Sequence, residues 1–274
     1  MTVRDVCFLS DYGYRDDFAG VCRAVIRRLA PGVVVLDVTH GVPPHDVTAG
    51  AVVLRNTVPY MPDLAVHLAV VDPGVGGSRR AVAVRSSSGR LFVGPDNGLL
   101  LPAAEADGGP EEAVELTESS LWLEPVSRTF HGRDIFAPVA AALASGTALR
   151  AVGSRLPVSE LRALRLPGAR LIGGGLEAQV VLVDHFGNLA LDCTREALLV
   201  AGLDGGVEVE CGDQGYRASV GATFASVRPG ELVVIVDSYG QVAVCARDES
   251  AAEAMSVAAG DVVRIRRGGG RPRG

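Results

Sequence analysis

Apolar residues follow two different rhythms along this chain. Up to about residue 166, short unbroken apolar runs alternate with stretches of helical period. Residues 3–9, 33–38 and 65–71 read as buried strands. Residues 17–29 place Phe18, Val21, Cys22, Val25, Ile26 and Leu29 on one helical face, and 46–58 is helical again with Asp46 as its N-cap. Further strands are predicted at 81–85 and 91–93, and a helix from 134 or 135 to 143. Such alternation implies a mostly parallel sheet with helices on both faces.

After residue 166 the rhythm changes. Pro167-Gly168 and Gly173-Gly174-Gly175 punctuate the chain, and short strands follow at 177–184, 207–211, 216–220, 232–237, 241–246 and 261–266. Turn residues separate them, the pattern of a small β-barrel or β-sandwich. The expected organisation is an α/β domain over 1–166, a smaller all-β, barrel-like domain over 172–267 and a flexible tail over 268–274. No internal repeat is present.

Composition narrows this picture. The 274 residues are 48% hydrophobic and 21% charged, enough for an ordered chain with a real core. No apolar run reaches membrane-spanning length, and the first residues lack the basic start and apolar stretch of a signal peptide, so a cytoplasmic protein is expected. A net charge of −6 argues against a general nucleic-acid or anionic-membrane surface. All 26 basic residues are arginine, which weakens any argument that a given arginine was chosen over lysine. The cysteines at 7, 22, 193, 211 and 245 show no zinc spacing and read as buried, reduced thiols. No metal is implied.

Ligands bind open α/β sheets beyond the carboxyl ends of the strands. Asp11 follows the first strand, Asp72 the third, and Asp96-Asn97-Gly98 would join them on the same rim. Each also has an ordinary reading. Asp11 could cap a turn, Asp72-Pro73-Gly74 is a type II turn sequence, and Asp96-Asn97-Gly98 is a tight turn. Two runs look built for chemistry together. Val71-Asp72-Pro73-Gly74-Val75-Gly76-Gly77-Ser78-Arg79-Arg80 offers a carboxylate and an arginine on a Gly-rich loop, with Arg80 as the alternative arginine. Thr129-Phe130-His131-Gly132-Arg133-Asp134 offers a histidine in a polar setting. His40, His45 and His67 read as structural. In the second domain, Asp184-His185-Phe186-Gly187-Asn188 and Asp237-Ser238-Tyr239-Gly240 are, alone, simple turns.

Taken in order, these runs resemble one family. With Phe8-Leu9-Ser10-Asp11 and Gly94-Pro95-Asp96-Asn97-Gly98-Leu99-Leu100 they are similar to the adenosine-forming S-adenosyl-L-methionine (SAM) hydrolases, also called SAM hydroxide adenosyltransferases, relatives of the fluorinase and chlorinase enzymes. The resemblance implies a homotrimer with SAM between the first domain of one subunit and the second domain of the next. It puts the family's Asp-Arg-His constellation on Asp72, Arg79 and His131. Asp11 would bind the ribose diol, and Phe130 would pack on the substrate. Asp184 and Asn188 would lie near the methionine amino group and the ribose, and Ser238 near the methionine portion. Backbone at Ala246 to Asp248 would read adenine. SAM is then a substrate, and no cofactor is implied.

The halogenating relatives carry tyrosines where this chain has Asp72 and His131, and the fluorinase has a long insertion where this chain has only Arg85 to Arg90. Both differences point to hydrolysis. Tyr239 replaces a fluorinase arginine, and His45 a tryptophan over the ribose. The expected reaction is attack of an activated water on the ribose 5′ carbon, with Arg79 as electrostatic support and Asp72 and His131 sharing the roles of base and relay. The alternatives are a SAM-dependent chlorinase and a protein that binds SAM or adenosine without turnover.

Overall fold

The computed structural model describes residues 3–166 and 168–268. The tail expected to be flexible lies outside the described residues except for Gly268. The chain divides into two compact units, 1–164 and 165–274.

The first unit opens with β1 (Val6–Ser10), α1 (Phe18–Leu29), β2 (Val35–Thr39), α2 (Val47–Thr57) and β3 (Val66–Val70). It continues with β4 (Ala81–Ser86), β5 (Leu91–Pro95), α3 (Leu101–Ala106), β6 (Pro110–Glu115), α4 (Ala137–Ala144) and β7 (Ser154–Leu156). A π-helical turn, Gly132–Phe136, leads into α4. The sheet order is β2-β1-β3-β5-β4-β6-β7. Its β2-β1-β3-β5 half is parallel, as the alternation predicts. The tight β4–β5 turn makes the remaining half antiparallel, so the sheet is mixed.

Helices cover both faces. Val6 and Phe8 share one core with Cys22, Ile26, Val139 and Leu143 of α1 and α4, while Cys7 and Leu9, equally buried, point to the opposite face. Every residue of β1, β3 and β5 is buried, which is why these strands read as continuous apolar runs. Asp46 caps α2, its Oδ1 accepting from Ala49 N at 2.9 Å. Strand β6 escapes a hydrophobicity reading because Glu111 and Glu112 open it. Both pair with Arg85 on β4, at 3.2 and 2.9 Å, so cross-strand ion pairs take the place of apolar contacts.

The second unit contains β8 (Arg170–Ile172), β9 (Gly175–Val183), β10 (Leu189–Thr194), α5 (Arg195–Val200), β11 (Gly206–Cys211) and β12 (Gln214–Val220). It ends with β13 (Leu232–Val236), β14 (Gln241–Ala246), α6 (Ala251–Met255) and β15 (Val262–Arg267). The order β10-β14-β13-β12-β11-β15-β9 closes on itself through β9–β10, giving a seven-stranded barrel with β8 added outside β9. Inward residues such as Leu176, Val180, Val209, Val244 and Ile265 fill it. Strand β10 was unexpected. Its Asp192 sits beside a register shift and accepts from Gln179 N at 2.7 Å, so the polar residue that hides the strand repairs its ladder.

The thiols are all free, four of them buried. Among the described residues no helix is long and apolar enough to cross a membrane. His67, on β3, is fully buried and stacks on Phe92 with ring centroids 5.0 Å apart. Neither ring nitrogen has a hydrogen-bond partner among the described residues. Burial, and secondarily Arg90, lowers its pKa from 6.5 to about 4. The unfolded chain therefore binds the proton first as pH falls, and stability is lost between pH 6.5 and 4, by an amount on the order of 3 kcal/mol. His67→Leu should flatten this part of the pH–stability curve, as read by urea unfolding at pH 5 and pH 7.

Candidate active site

Strands β1 and β3 are parallel neighbours, with Ser10 opposite Val70. Asp11 and Asp72 therefore leave the sheet on one rim. Both line a cavity of about 230 Å³ together with Tyr12, Phe18, His45 and His131. Asp11 is fixed by the backbone N–H of His45, 2.9 Å from Oδ2. His45 itself has φ +67°, a left-handed conformation that brings that N–H inward.

Asp72, Arg79 and His131 form one connected group. Arg79 Nε lies 3.0 Å from both Asp72 oxygens, and its NH2 nitrogen lies 2.5 Å from Oδ2. The same nitrogen is 2.8 Å from His131 Nδ1. A guanidinium can only donate, so His131 Nδ1 accepts and the ring proton sits on Nε2. Arg79 thus stands between the carboxylate and the imidazole. Burial, then the Arg79 charge, lowers the His131 pKa below its usual 6.5. Arg79 also lies over the Phe136 ring, 5.2 Å from its centroid.

The histidine reaches this position through the segment before α4. Buried Asp134 accepts from Ser127 N at 2.8 Å and binds Arg133 through both oxygens, at 2.6 and 2.9 Å. Arg133 in turn covers Phe130. Phe130 makes edge contacts with Phe18 at 5.1 Å and Tyr12 at 5.7 Å. Two glycines permit the assembly. A side chain at Gly132 would collide with the Tyr12 hydroxyl, and one at Gly76, where φ is +73°, would collide with the Arg128 carbonyl.

Not every expected residue joins the rim. Asp96 faces away, bonded to Arg80 Nε at 2.8 Å and Arg162 N at 2.8 Å. The antiparallel pairing sets Ala81 opposite Pro95, which delivers Arg80 to Asp96. This separates the two arginines: Arg79 binds Asp72 and His131 at the cavity wall, and Arg80 braces the chain near Glu160. Asn97 contributes indirectly, its Nδ2 donating to Val71 O at 2.8 Å just before Asp72. Tyr12 and Phe18 were not anticipated, while His45, structural by its own pattern, lines the cavity as its match to the ribose-covering tryptophan implies. Phe18 occupied a core position in the helical pattern, yet it is 41% exposed at the start of α1.

In the second unit, two turns use the same device. Asp184 Oδ1 accepts from Phe186 N and Asn188 N, both at 2.9 Å, and Asn188 Nδ2 donates to Oδ2 at 2.8 Å. Asp237 Oδ1 accepts from Tyr239 N at 2.8 Å and Gln241 N at 2.9 Å, which shapes the turn carrying Ser238. Ala246 ends β14, and Asp248 follows with φ +63°. The Asp184–Asn188 turn lies at that end, tied by Ala252 N to Gly187 O at 3.0 Å. Ser238 lies at the other end of β14, roughly 17 Å away at 3.3 Å per residue.

Residues 6–153 match the model of the SAM hydroxide adenosyltransferase N-terminal domain, and 178–264 match that of its C-terminal domain. The chain belongs to this family. It is 49% identical over 263 residues to an (R)-S-adenosyl-L-methionine hydrolase of Salinispora tropica, covering 96% of this chain and 98% of that one. A fluorinase of an Actinoplanes species is 27% identical over 288 residues, covering 95% and 96%. The crystal structure of an uncharacterized conserved protein from Thermotoga maritima superposes with a TM-score of 0.90 at 36% identity, covering 96% of this chain and all of the other.

The N-terminal match spans every described residue that lines the cavity, from Asp11 to Gly132. In this adenosyltransferase-family domain the fit of the Asp72 loop against the His131 segment rests on Gly76. Gly76→Ala should cost about 1–3 kcal/mol of stability, from backbone strain at positive φ and contact with Arg128. Denaturant unfolding measures it.

Proposed function

We propose that the protein hydrolyses SAM to adenosine and L-methionine. The observation that carries this reading is the Asp72–Arg79–His131 group at a cavity whose rim also bears Asp11. A carboxylate and an imidazole stand where the halogenating relatives have tyrosines. The 49% identity to a protein named as an (R)-S-adenosyl-L-methionine hydrolase, against 27% for a fluorinase, supports the same choice.

In the proposed reaction a water oxygen bonds to the ribose 5′ carbon as the bond from that carbon to sulfur breaks. The sulfonium leaves as neutral methionine thioether and needs no acid. The water gives up a proton. His131 Nδ1 is already accepting from Arg79, and Nε2 carries the ring proton, so neither nitrogen can take it. Asp72 keeps unused acceptor capacity and takes the role of base, with His131 holding Arg79 in line. Arg79, nearly buried, favours hydroxide character in the attacking water. SAM is the substrate, and no cofactor enters.

The remaining assignments belong to the same proposal. Asp11 binds the ribose diol, and Phe130 packs on the substrate. In the second unit, Asp184 and Asn188 serve the methionine amino group and the ribose, Ser238 the methionine portion, and backbone at Ala246 to Asp248 the adenine. We place the 1–166 domain of one subunit beside the 172–267 barrel of the next in a homotrimer. A bare Phe186, 73% exposed in the Asp184 turn, suits a surface that another molecule covers. A cytoplasmic setting accords with five free cysteines.

Incubation with SAM in chloride buffer should yield adenosine and methionine. A 5′-chlorinated nucleoside would instead reveal a halogenase, and no product at all a binding protein. Asp72→Asn should lower kcat by about 10²–10⁴-fold while SAM still binds by calorimetry; near-normal turnover would remove Asp72 from the mechanism. Because the His131 pKa lies below 6.5, kcat/KM should be level above that pH and fall only below it, as protonation of Nδ1 breaks the bond from Arg79.

A further inference from the structure

His40 has every mark of a structural residue, being 1% exposed on the segment after β2. Its contacts, however, converge on the turn that carries Asp11. Its Nδ1 lies 2.7 Å from Ser10 Oγ, and Ser10, itself fully buried, accepts from Tyr12 N at 3.3 Å. Its backbone carbonyl accepts from Gly13 N at 2.7 Å, and its backbone N–H donates to the Tyr14 hydroxyl at 3.1 Å. The ring is wedged edge-on between Phe8 and Tyr14, at 4.6 and 5.6 Å. One residue therefore holds positions 10, 13 and 14 directly, and 12 through Ser10. Asp11 is the residue they enclose.

The protonation state follows from the partners. Nε2 lies 3.3 Å from Asp37 Oδ1, within reach of its charge though without the alignment of a hydrogen bond. Asp37 accepts only, so the ring proton belongs on Nε2 and Nδ1 accepts from the Ser10 hydroxyl. Burial lowers the His40 pKa against the pull of Asp37, consistent with a neutral ring. Asp37 is anchored in turn by Arg23 of α1 at 2.5 Å.

We infer that His40 and Ser10 are positioning residues for the Asp11 carboxylate, setting its aim at the ribose hydroxyls through the chain Asp37–His40–Ser10–Tyr12. This rests on the reading of Asp11 as the diol ligand. None of Asp37, His40, Ser10 and Tyr12 is hydrogen-bonded to Asp72, Arg79 or His131, so loss of the group should fall chiefly on recognition of the sugar. Misaim by a fraction of an ångström weakens a charge-assisted hydrogen bond steeply.

The test is discrimination between adenosine and 2′,3′-dideoxyadenosine, measured by calorimetry on the full-length protein. The wild type should bind adenosine about tenfold or more tighter. Ser10→Ala and His40→Phe should shrink that ratio to within about threefold, chiefly by weakening adenosine. His40→Asn, which returns an acceptor near the Nδ1 position, should restore most of it. The same variants should raise KM for SAM by about the factor lost on adenosine. Folded variants with an unchanged ratio would overturn the inference, as would a loss in kcat alone. Ser10→Ala removes a single oxygen and decides the matter if His40→Phe does not fold. If the wild type itself fails to discriminate, the diol role of Asp11 is wrong, and the inference falls with it.

Discussion

The arrangement depends on one guanidinium. Arg79 is shared between Asp72 and His131, and each of these is defined by it. Its charge compensates a carboxylate whose side chain is only 6% exposed. Its single-sided chemistry, donor only, dictates which histidine nitrogen bears hydrogen. A buried ion pair of this kind is poor evidence of net stabilisation, since desolvation offsets most of the attraction. Its contribution here is order. Losing Arg79 would strand the Asp72 charge and free the imidazole to change tautomer. The surrounding structure serves this contact: Phe136 lies under the guanidinium, and Gly76 lets the two segments approach.

The mixed sheet gives that group its place. Parallel β1 and β3 deliver Asp11 and Asp72 to one rim, which any doubly wound sheet could do. The antiparallel β4 then starts at the same rim, because it runs opposite to β5. The loop from Asp72 therefore returns to the sheet after Arg80, so Asp72 and Arg79 meet within a single loop. A helical crossover in that place would have carried the arginine to the far end.

Much of this was legible in the chain. The buried parallel strands announce themselves through unbroken apolar runs, and Asp46 through its position before a helical period. Strands β10, β11 and β15 of the barrel alternate as half-buried strands should, while β13 and β14 are buried almost throughout. What stayed hidden shares a cause. Strand β6, the Asp192 position in β10 and the separation of Asp96 from the rim all involve polar groups satisfied by partners distant in sequence, which periodicity does not record. Of the site, Asp72, Arg79 and His131 emerged only because several motifs occurred in one family's order, each being an ordinary turn by itself. Tyr12 and Phe18 carried no signal, since an aromatic beside a helix start reads as core. His40 reads as core as well, and it is buried; burial alone does not tell what a ring is holding.

The formal charges around the cavity of the first unit carry a further consequence. Asp11 and Asp72 contribute two negative charges and Arg79 one positive, while His131 is neutral, so the cavity is left one charge short of balance. In the proposed reaction the SAM sulfonium would restore that balance and be drawn in. Cleavage of the carbon–sulfur bond removes that cation, leaving an uncharged nucleoside and a thioether. On the proposed reading, the electrostatic attraction that draws the substrate in would thus disappear in the chemical step itself.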